Sequence, residues 1–85
     1  MKRIIEDTAQ EGLDALLGER VTIWCMNYIY SGKLVGVNST CVKLSEACIV
    51  YETGPLKDEE FKDAQSLPFD WYIQLSAVES FGRCS

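Results

Sequence analysis

The sequence predicts a small all-β domain with an N-terminal helix, in which five strands form a strongly bent, open barrel. The first observation behind this fold class is a change of apolar spacing at Arg20, from a helical period to strand-like alternation. The second is the pair Gly32 and Gly36 within one predicted strand, where glycines mark a sharp bend or a close backbone approach. With 85 residues, the chain is expected to form a single domain over residues 1–85.

The N-terminal helix is predicted over residues 8–18. Thr8 followed by Glu11 fits a capping box, in which each side chain bonds a free backbone amide of the first turn. Three leucines then lie at helical spacing on one face, and Gly18 supplies the residue that ends the helix. So short a helix is not stable alone, so its leucine face is expected to dock on the rest of the domain: Leu13, Leu16 and Leu17.

The five strands are predicted over residues 20–25, 28–38, 41–52, 71–75 and 77–81. In the first, Val21, Ile23 and Cys25 alternate with polar or aromatic neighbours. The third is expected to place four apolar side chains on one face: Val42, Leu44, Cys48 and Val50.

Residues 53–70 form an acidic insertion between the third and fourth predicted strands. The chain has a net charge of −5, and residues 51–70 carry six acids and two lysines, which leaves the rest of the chain nearly neutral. Residues 56–64 fit either a short helical turn or an extended hairpin with a solvated tip. The insertion is either a surface loop without a task or a contact for a protein partner.

Composition excludes many enzyme classes. The chain has no histidine, and its four cysteines show no CxxC pair or zinc spacing: Cys25, Cys41, Cys48 and Cys84. No nucleophile has a base beside it in the sequence, so we predict no catalytic residues, no metal and no cofactor. No apolar run approaches the length of a membrane span, and the basic start turns acidic at once. We therefore expect a cytoplasmic protein with reduced thiols, with disulfides as the alternative had a signal peptide been present.

Three passages resemble the Sm-like family over nearly the whole chain apart from the insertion. Residues 18–23 are similar to its first strand, residues 32–38 with 42–47 to its first motif, and residues 73–78 to the aliphatic frame of its second motif. The resemblance implies an SH3-type barrel that assembles into a ring, with strand four of one copy pairing with strand five of the next. It also implies binding of short single-stranded RNA.

The base-reading positions depart from the family pattern. Asn38 stands where the family has an Asp, and Gln74 and Leu75 replace its Arg-Gly pair, while the histidine of the bacterial branch is missing. Amides still donate and accept along a base edge, although Asn38 equally fits a turn residue that bonds its own backbone. The candidate RNA-binding residues are Asn38, Ser39, Thr40, Gln74, Leu75 and Ser76.

Six aromatic residues fit two interpretations. They are either a stacking platform for single-stranded nucleic acid or ordinary core and subunit contacts: Trp24, Tyr28, Tyr30, Tyr51, Trp71 and Tyr72.

The last two predicted strands contain neither proline nor lysine, the residues that usually protect a free sheet edge. We therefore expect head-to-tail pairing between copies, closing a homo-oligomeric ring of about five to seven chains. The candidate interface residues are Trp71, Ile73, Leu75, Val78 and Phe81. The functions left open are an RNA-binding ring, a ring that acts as a scaffold for a protein partner and, least favoured by the composition, a small enzyme.

Overall fold

A single antiparallel sheet of six strands makes up most of the computed structural model, which describes residues 12–56 and 60–84. The path through the sheet is β4-β3-β2-β1-β6, and β5 pairs with β3 off this path. Within the described residues, β6 pairs only with β1, while β4 and β5 pair only with β3. The strands are β1 (Arg20–Cys25), β2 (Ile29–Val37), β3 (Cys41–Glu52), β4 (Asp63–Ser66), β5 (Trp71–Gln74) and β6 (Val78–Arg83).

The strand count corrects the prediction of five. The additional strand, β4, lies inside the acidic insertion, where Asp63 pairs with Glu52 and Ser66 pairs with Cys48. Of residues 56–64, for which a helical turn or a hairpin was predicted, 57–59 lie outside the described residues; the described part has no helical turn, and Asp63 and Ala64 belong to β4. Alternation could not predict β4, because all four of its residues are exposed and none is strongly apolar.

β4 and β5 follow one another along the same edge of β3. β5 pairs with the first half of β3, from Cys41 to Leu44, and β4 pairs with the second half. Between them the Leu67 amide still donates to the Ala47 carbonyl at 2.8 Å, and Pro68, which has no amide hydrogen, ends the pairing there. The chain from 63 to 74 is therefore one interrupted edge.

The predicted helix over residues 8–18 lies in part outside the described residues, including its capping pair Thr8 and Glu11. From residue 12 onward the structure has only a 3-10 turn, Asp14–Leu16. Two of the three predicted leucines, Leu13 and Leu16, pack against the core, as expected for a docked apolar face. Gly18 has a φ of 87°, the left-handed conformation expected at the end of the segment, and its amide donates to the Leu34 carbonyl at 2.7 Å.

The core lies on one face of β1, β2, β3 and β5. Val21 and Ile23 are fully buried, which confirms the alternation predicted for the first strand. On β3 the predicted burial is confirmed for Val42, Leu44 and Val50 and is wrong for Cys48. Beyond Leu44 the phase shifts, so Ala47 takes the next core position and Cys48 is half-buried. The core cluster is Val21, Ile23, Leu34, Val42, Leu44, Ala47 and Ile73.

The phase shift in β3 comes from an irregularity opposite Gly32. Glu46 has a positive φ of 48°, and the pairing of β2 with β3 shifts between Ser31 and Lys33. A Cβ on Gly32 would lie 2.9 Å from the Ser45 carbonyl oxygen, so the close approach predicted from this glycine is confirmed. A second shift lies at Gly36, where a Cβ would make only an ordinary contact with Lys43.

No helix in the described ranges 12–56 and 60–84 has the length and apolar character needed to cross a membrane.

Candidate nucleic-acid interface

The two loops predicted to bind RNA meet in the structure. One is the turn after β2, which contains Asn38 and Thr40, and the other begins at Gln74 and runs into a second 3-10 turn, Leu75–Ala77. The Leu75 amide donates to the Thr40 carbonyl at 2.8 Å. We call the two segments, residues 38–40 and 74–76, the loop pair. Leu75 is half-buried against the core. The other five residues of the loop pair are exposed: Asn38, Ser39, Thr40, Gln74 and Ser76.

Asn38 is engaged by its own turn. Its Oδ1 accepts hydrogen bonds from the Thr40 amide at 2.8 Å, the Thr40 hydroxyl at 3.1 Å and the Cys41 amide at 2.8 Å. Its own amide donates to the Cys41 carbonyl at 3.0 Å. These bonds support the turn interpretation of Asn38, and they leave its side-chain NH₂ as the group able to reach a base.

Lys43 lies near the start of β3, where its backbone pairs with Tyr72 on β5. Its Nζ lies 3.6 Å from the Asp70 carboxylate and 5.6 Å from the centre of the Tyr72 ring. A hydrogen bond to Tyr72, the charge of Tyr72 and the charge of Asp70 together raise the pKa of Lys43. Because this charge is already shared with Asp70, it attracts phosphate less than an unpaired lysine would.

The candidate subunit interface falls on two free edges. Trp71 on β5 and Phe81 on β6 are more than a third exposed, so both can contact another chain. Ile73 is buried in the core of its own chain, and Leu75 and Val78 pack against that core. The exposed side chains of the predicted set are therefore Trp71 and Phe81, while Ile73 offers only its backbone.

The six aromatic residues divide into separate environments. Four of them line an open pocket of about 330 Å³ between the β1–β2 turn and β5: Tyr28, Tyr30, Trp71 and Tyr72. Trp24 lies in a second groove, and the Tyr51 hydroxyl lies 3.5 Å from Gln65 on β4.

Within the pocket, partial burial is the largest cause that raises the pKa of Tyr30, and a hydrogen bond with Trp71 acts against it. Sequence reasoning missed Met26 and Asn27 as members of this pocket, because only the fold brings their turn to β5.

The second groove, of about 790 Å³, runs between β1, β6 and the insertion. Cys84 lies in it, with its Sγ 2.7 Å from the Thr22 hydroxyl and 3.3 Å from the Ser31 hydroxyl. All four cysteines are free, and burial raises the pKa of the Cys25 and Cys48 thiols. The described residues contain no group of three or more His, Cys, Asp or Glu side chains placed to hold a metal ion.

The insertion contacts the end of β3 through Lys62. The Lys62 ammonium lies 3.2 Å from the Glu52 carboxylate, and the Lys62 amide donates to the Thr53 carbonyl, also at 3.2 Å. Both charged side chains are more than half exposed, so the ion pair adds little stability. Lys57, Asp58 and Glu59 of the predicted acidic insertion lie outside the described residues.

Comparison of the chain with protein-family models, with curated proteins and with solved structures gives no match. The arguments for a function therefore come from the motifs and geometry of this chain itself.

Proposed function

We propose that the chain is an Sm-like protein whose sheet curls into a bent barrel, whose copies assemble into a ring, and which binds short single-stranded RNA at the loop pair. The observation that carries the proposal is the 2.8 Å hydrogen bond between Leu75 and Thr40. It joins two segments that lie 35 positions apart in the sequence and that the resemblance assigns to base contact.

The free edges of β5 and β6 support assembly. In the described residues β5 pairs only with β3 and β6 pairs only with β1. A strand edge with unpaired amides and carbonyls is a template for another chain, and β5 and β6 correspond to the strands that the resemblance joins between copies. If β5 of one copy pairs with β6 of the next, each chain makes the same head-to-tail contact on both sides. Such contacts form a closed ring when the rotation between neighbouring copies divides a full turn.

Repetition around a ring supports RNA binding by a site with little charge. Each loop pair offers amides rather than guanidinium groups, so one copy contributes a modest contact. A single RNA strand that reaches several copies gains affinity by about 100-fold or more from its high effective concentration at each next site. Since few counterions are released, the affinity is expected to depend only weakly on salt.

A protein scaffold is the second candidate function. It is favoured by the engagement of Asn38 Oδ1 in three hydrogen bonds of its own turn, which removes one acceptor from base contact. In that case the partner contacts the acidic insertion rather than the loop pair.

Fluorescence anisotropy with short uridine-rich and adenine-rich RNAs at low salt tests the proposal. We expect wild type to bind, Gln74→Ala to weaken binding severalfold, and Gln65→Ala, the same change on β4, to leave it unchanged. Asn38→Asp keeps the oxygen that the turn requires and restores the acid that the resemblance places at this position, so we expect this variant to fold and to retain RNA binding.

Non-specific nucleic-acid contacts have dissociation constants of about 1–100 μM at physiological salt and bind more tightly at low salt. Absence of binding at about 50 μM protein and low salt would therefore remove RNA from the proposal and favour the scaffold. The scaffold alternative predicts that a partner protein co-purifies with the native assembly in a stoichiometric amount. Replacing the acidic residues of the insertion by neutral ones should then abolish this co-purification.

A further inference from the structure

We propose that the free edge of β4 binds an extended, basic segment of a partner protein as an additional strand of the sheet. The site is separate from the loop pair, and the inference does not depend on RNA binding. We call this site the β4 edge, which is the side of Asp63–Ser66 that faces away from β3.

The backbone of β4 presents hydrogen-bonding groups along this edge. In an antiparallel pair, residues that bond the neighbouring strand alternate with residues whose amide and carbonyl point away from it. The Leu67 amide donates to the Ala47 carbonyl at 2.8 Å, so Leu67 and, two residues earlier, Gln65 bond β3. Ala64 and Ser66 therefore direct their amides and carbonyls outward, where no strand among the described residues pairs with them.

The usual protections of a free edge are missing from β4. Its four residues contain neither proline nor lysine, they are all exposed, and their register with β3 is regular from Ala64 to Ser66. An extended peptide can add to such an edge, because its main chain supplies affinity and its alternate side chains supply specificity.

The side chains beside the β4 edge favour an apolar residue on one face of the incoming strand. Ala64 lines the groove of about 790 Å³, where its small side chain leaves room next to Leu56 and Phe61. Leu56 is 73% exposed, so an apolar neighbour would remove apolar surface from water. Because residues directly opposite each other lie on the same face of a sheet, the residue that pairs with Ala64 directs its side chain toward this groove.

The charge on this side of the groove favours a basic partner. Glu60 and Asp63 line it, while the ammonium of Lys62 lies 3.2 Å from the Glu52 carboxylate. The two arginines of the groove lie on the opposite wall, which β1 and β6 form. Since acids attract lysine and arginine and repel acidic segments, the segment that fits alternates apolar residues with lysine or arginine.

The proposed ring leaves the β4 edge available. In the ring, β6 of one copy pairs with β5 of the next, and β6 has six residues whereas β5 has four. At most two residues of a paired β6 therefore extend from β5 toward Pro68, which separates β5 from β4. The partner segment thus does not compete with the neighbouring copy.

A capped hexapeptide that alternates valine and lysine tests the site on the full chain, with the amide NMR signals of the protein as the readout. We expect shifts at Ala64 and Ser66 but none at Phe81, which lies on the β6 edge and is also exposed. The corresponding valine–glutamate peptide is expected to bind about tenfold more weakly. The inference is wrong if a millimolar valine–lysine peptide causes no shift, or shifts Phe81 as much as Ala64.

Two methylated forms of the peptide test whether binding uses the main chain. A valine that pairs with Ala64 directs its own amide toward β4, whereas the amides of the lysines point away. N-methylation of the valines is therefore expected to abolish binding, and N-methylation of the lysines to retain it. Equal affinity of the two forms would mean attraction by charge without strand pairing, and would reject the β4 edge.

Ala64→Pro removes one outward amide and keeps the bonds between β4 and β3, because proline is tolerated where the amide of an edge strand faces solvent. We expect peptide binding to fall about tenfold while the circular dichroism spectrum and the mass of the assembly stay unchanged. A lower mass would identify β4 as a contact between copies and contradict the inference. Gln74→Ala, which tests the loop pair, is expected to leave peptide binding unchanged, so this site and the RNA site can fail separately.

Charge variants keep the inference testable if the proline variant does not fold. Asp63→Asn is expected to weaken binding of the valine–lysine peptide severalfold. Glu79→Gln is the matched control, because Glu79 is an exposed acid on β6 that does not line the groove. An equal effect of the two variants would mean that the peptide responds to net charge rather than to the β4 edge.

Discussion

Gly32 and Asn38 act through backbone geometry. Gly32 allows the backbone of β3 to approach β2, with Ser45 O at 2.9 Å and Ala47 Cα at 3.0 Å from the position of a Cβ. The side-chain oxygen of Asn38 accepts hydrogen bonds from the Thr40 and Cys41 amides, and thereby stabilises the turn. The sequence motif predicted both residues to be important, and it left Asn38 open between a base contact and a turn residue.

At the residue scale, the first prediction concerns Gly32→Ala. The added methyl group would collide with backbone atoms that cannot rotate away, so we expect the free energy of unfolding to fall by about 1–3 kcal/mol. Gly82→Ala is the control: a Cβ there meets no atom within 4 Å among the described residues, and the change is expected within about 0.5 kcal/mol of wild type. Urea denaturation measures both, and equal stability of the two variants would contradict the steric argument.

At the element scale, β3 organises the sheet. It pairs with β2 along one side and with β5 and then β4 along the other, and it changes phase at Glu46. Because of that change, Ala47 rather than Cys48 faces the core. A residue in the left-handed region within a strand is unusual, and it lets one long strand serve two differently oriented partners.

The second prediction concerns Glu46. Glycine adopts a φ of 48° without the steric cost that other residues carry, so Glu46→Gly is expected to be more stable than Glu46→Ala by about 1 kcal/mol. Both variants lose the 4.0 Å contact with Arg20, so this comparison isolates the backbone. At most strand positions alanine is more stabilising than glycine. Urea denaturation measures the stability of both variants, and a more stable Glu46→Ala would mean that residue 46 is not in the left-handed region in solution.

The sequence predicted strands well where one face is buried. The bounds of β1 and β3 agree with prediction, and β2 differs by one residue at each end, because alternation reports burial directly. β4 was missed because an exposed edge strand has no apolar face. The loop pair was predicted through the family motif. The open pocket of about 330 Å³ depends instead on the approach of the β1–β2 turn to β5, which no local pattern encodes.

At the scale of the whole molecule, exposed apolar side chains occur both inside and outside the acidic insertion. Phe69 is 77% exposed within the insertion, and further exposed aromatics lie on β5, on β6 and near the β1–β2 turn. Such apolar surface on a small chain is typical of a site that another molecule covers. The proposed ring would cover the exposed aromatics on β5 and β6.

The third prediction is that the protein forms an assembly of at least five chains. Light scattering at micromolar concentration measures its mass, and a monomer or dimer would reject the ring. Phe81→Lys places a charge on the exposed part of β6, so we expect it to lower the mass while the circular dichroism spectrum stays unchanged. Phe69→Lys, on a side chain that is 77% exposed outside the strands, is expected to leave the mass unchanged.

The fourth prediction is a loss of stability at alkaline pH. Burial raises the pKa of Cys25 and Cys48, so the folded chain keeps two protons that the unfolded chain releases above about pH 8.5. Their contribution is therefore complete below that pH and is lost as the pH rises through the folded values. Urea denaturation of the reduced protein measures the free energy of unfolding at pH 7.5 and at pH 9.5. The difference between the two values should be smaller in a Cys25→Ala/Cys48→Ala double variant. An equal difference in the variant and in wild type would contradict this cause.

The pairing of β1 with β6 has a consequence for how the chain folds. β1 finds β2 a few residues away, but its other neighbour comes from near position 80, so that the Arg20 carbonyl accepts from the Cys84 amide at 2.8 Å. During synthesis on the ribosome, β1, β2 and β3 emerge long before β6, and one side of β1 stays open to pairing with other nascent chains. Completing the sheet requires closure of a long loop, so we expect slow, concentration-sensitive folding in which docking of β6 is a late step.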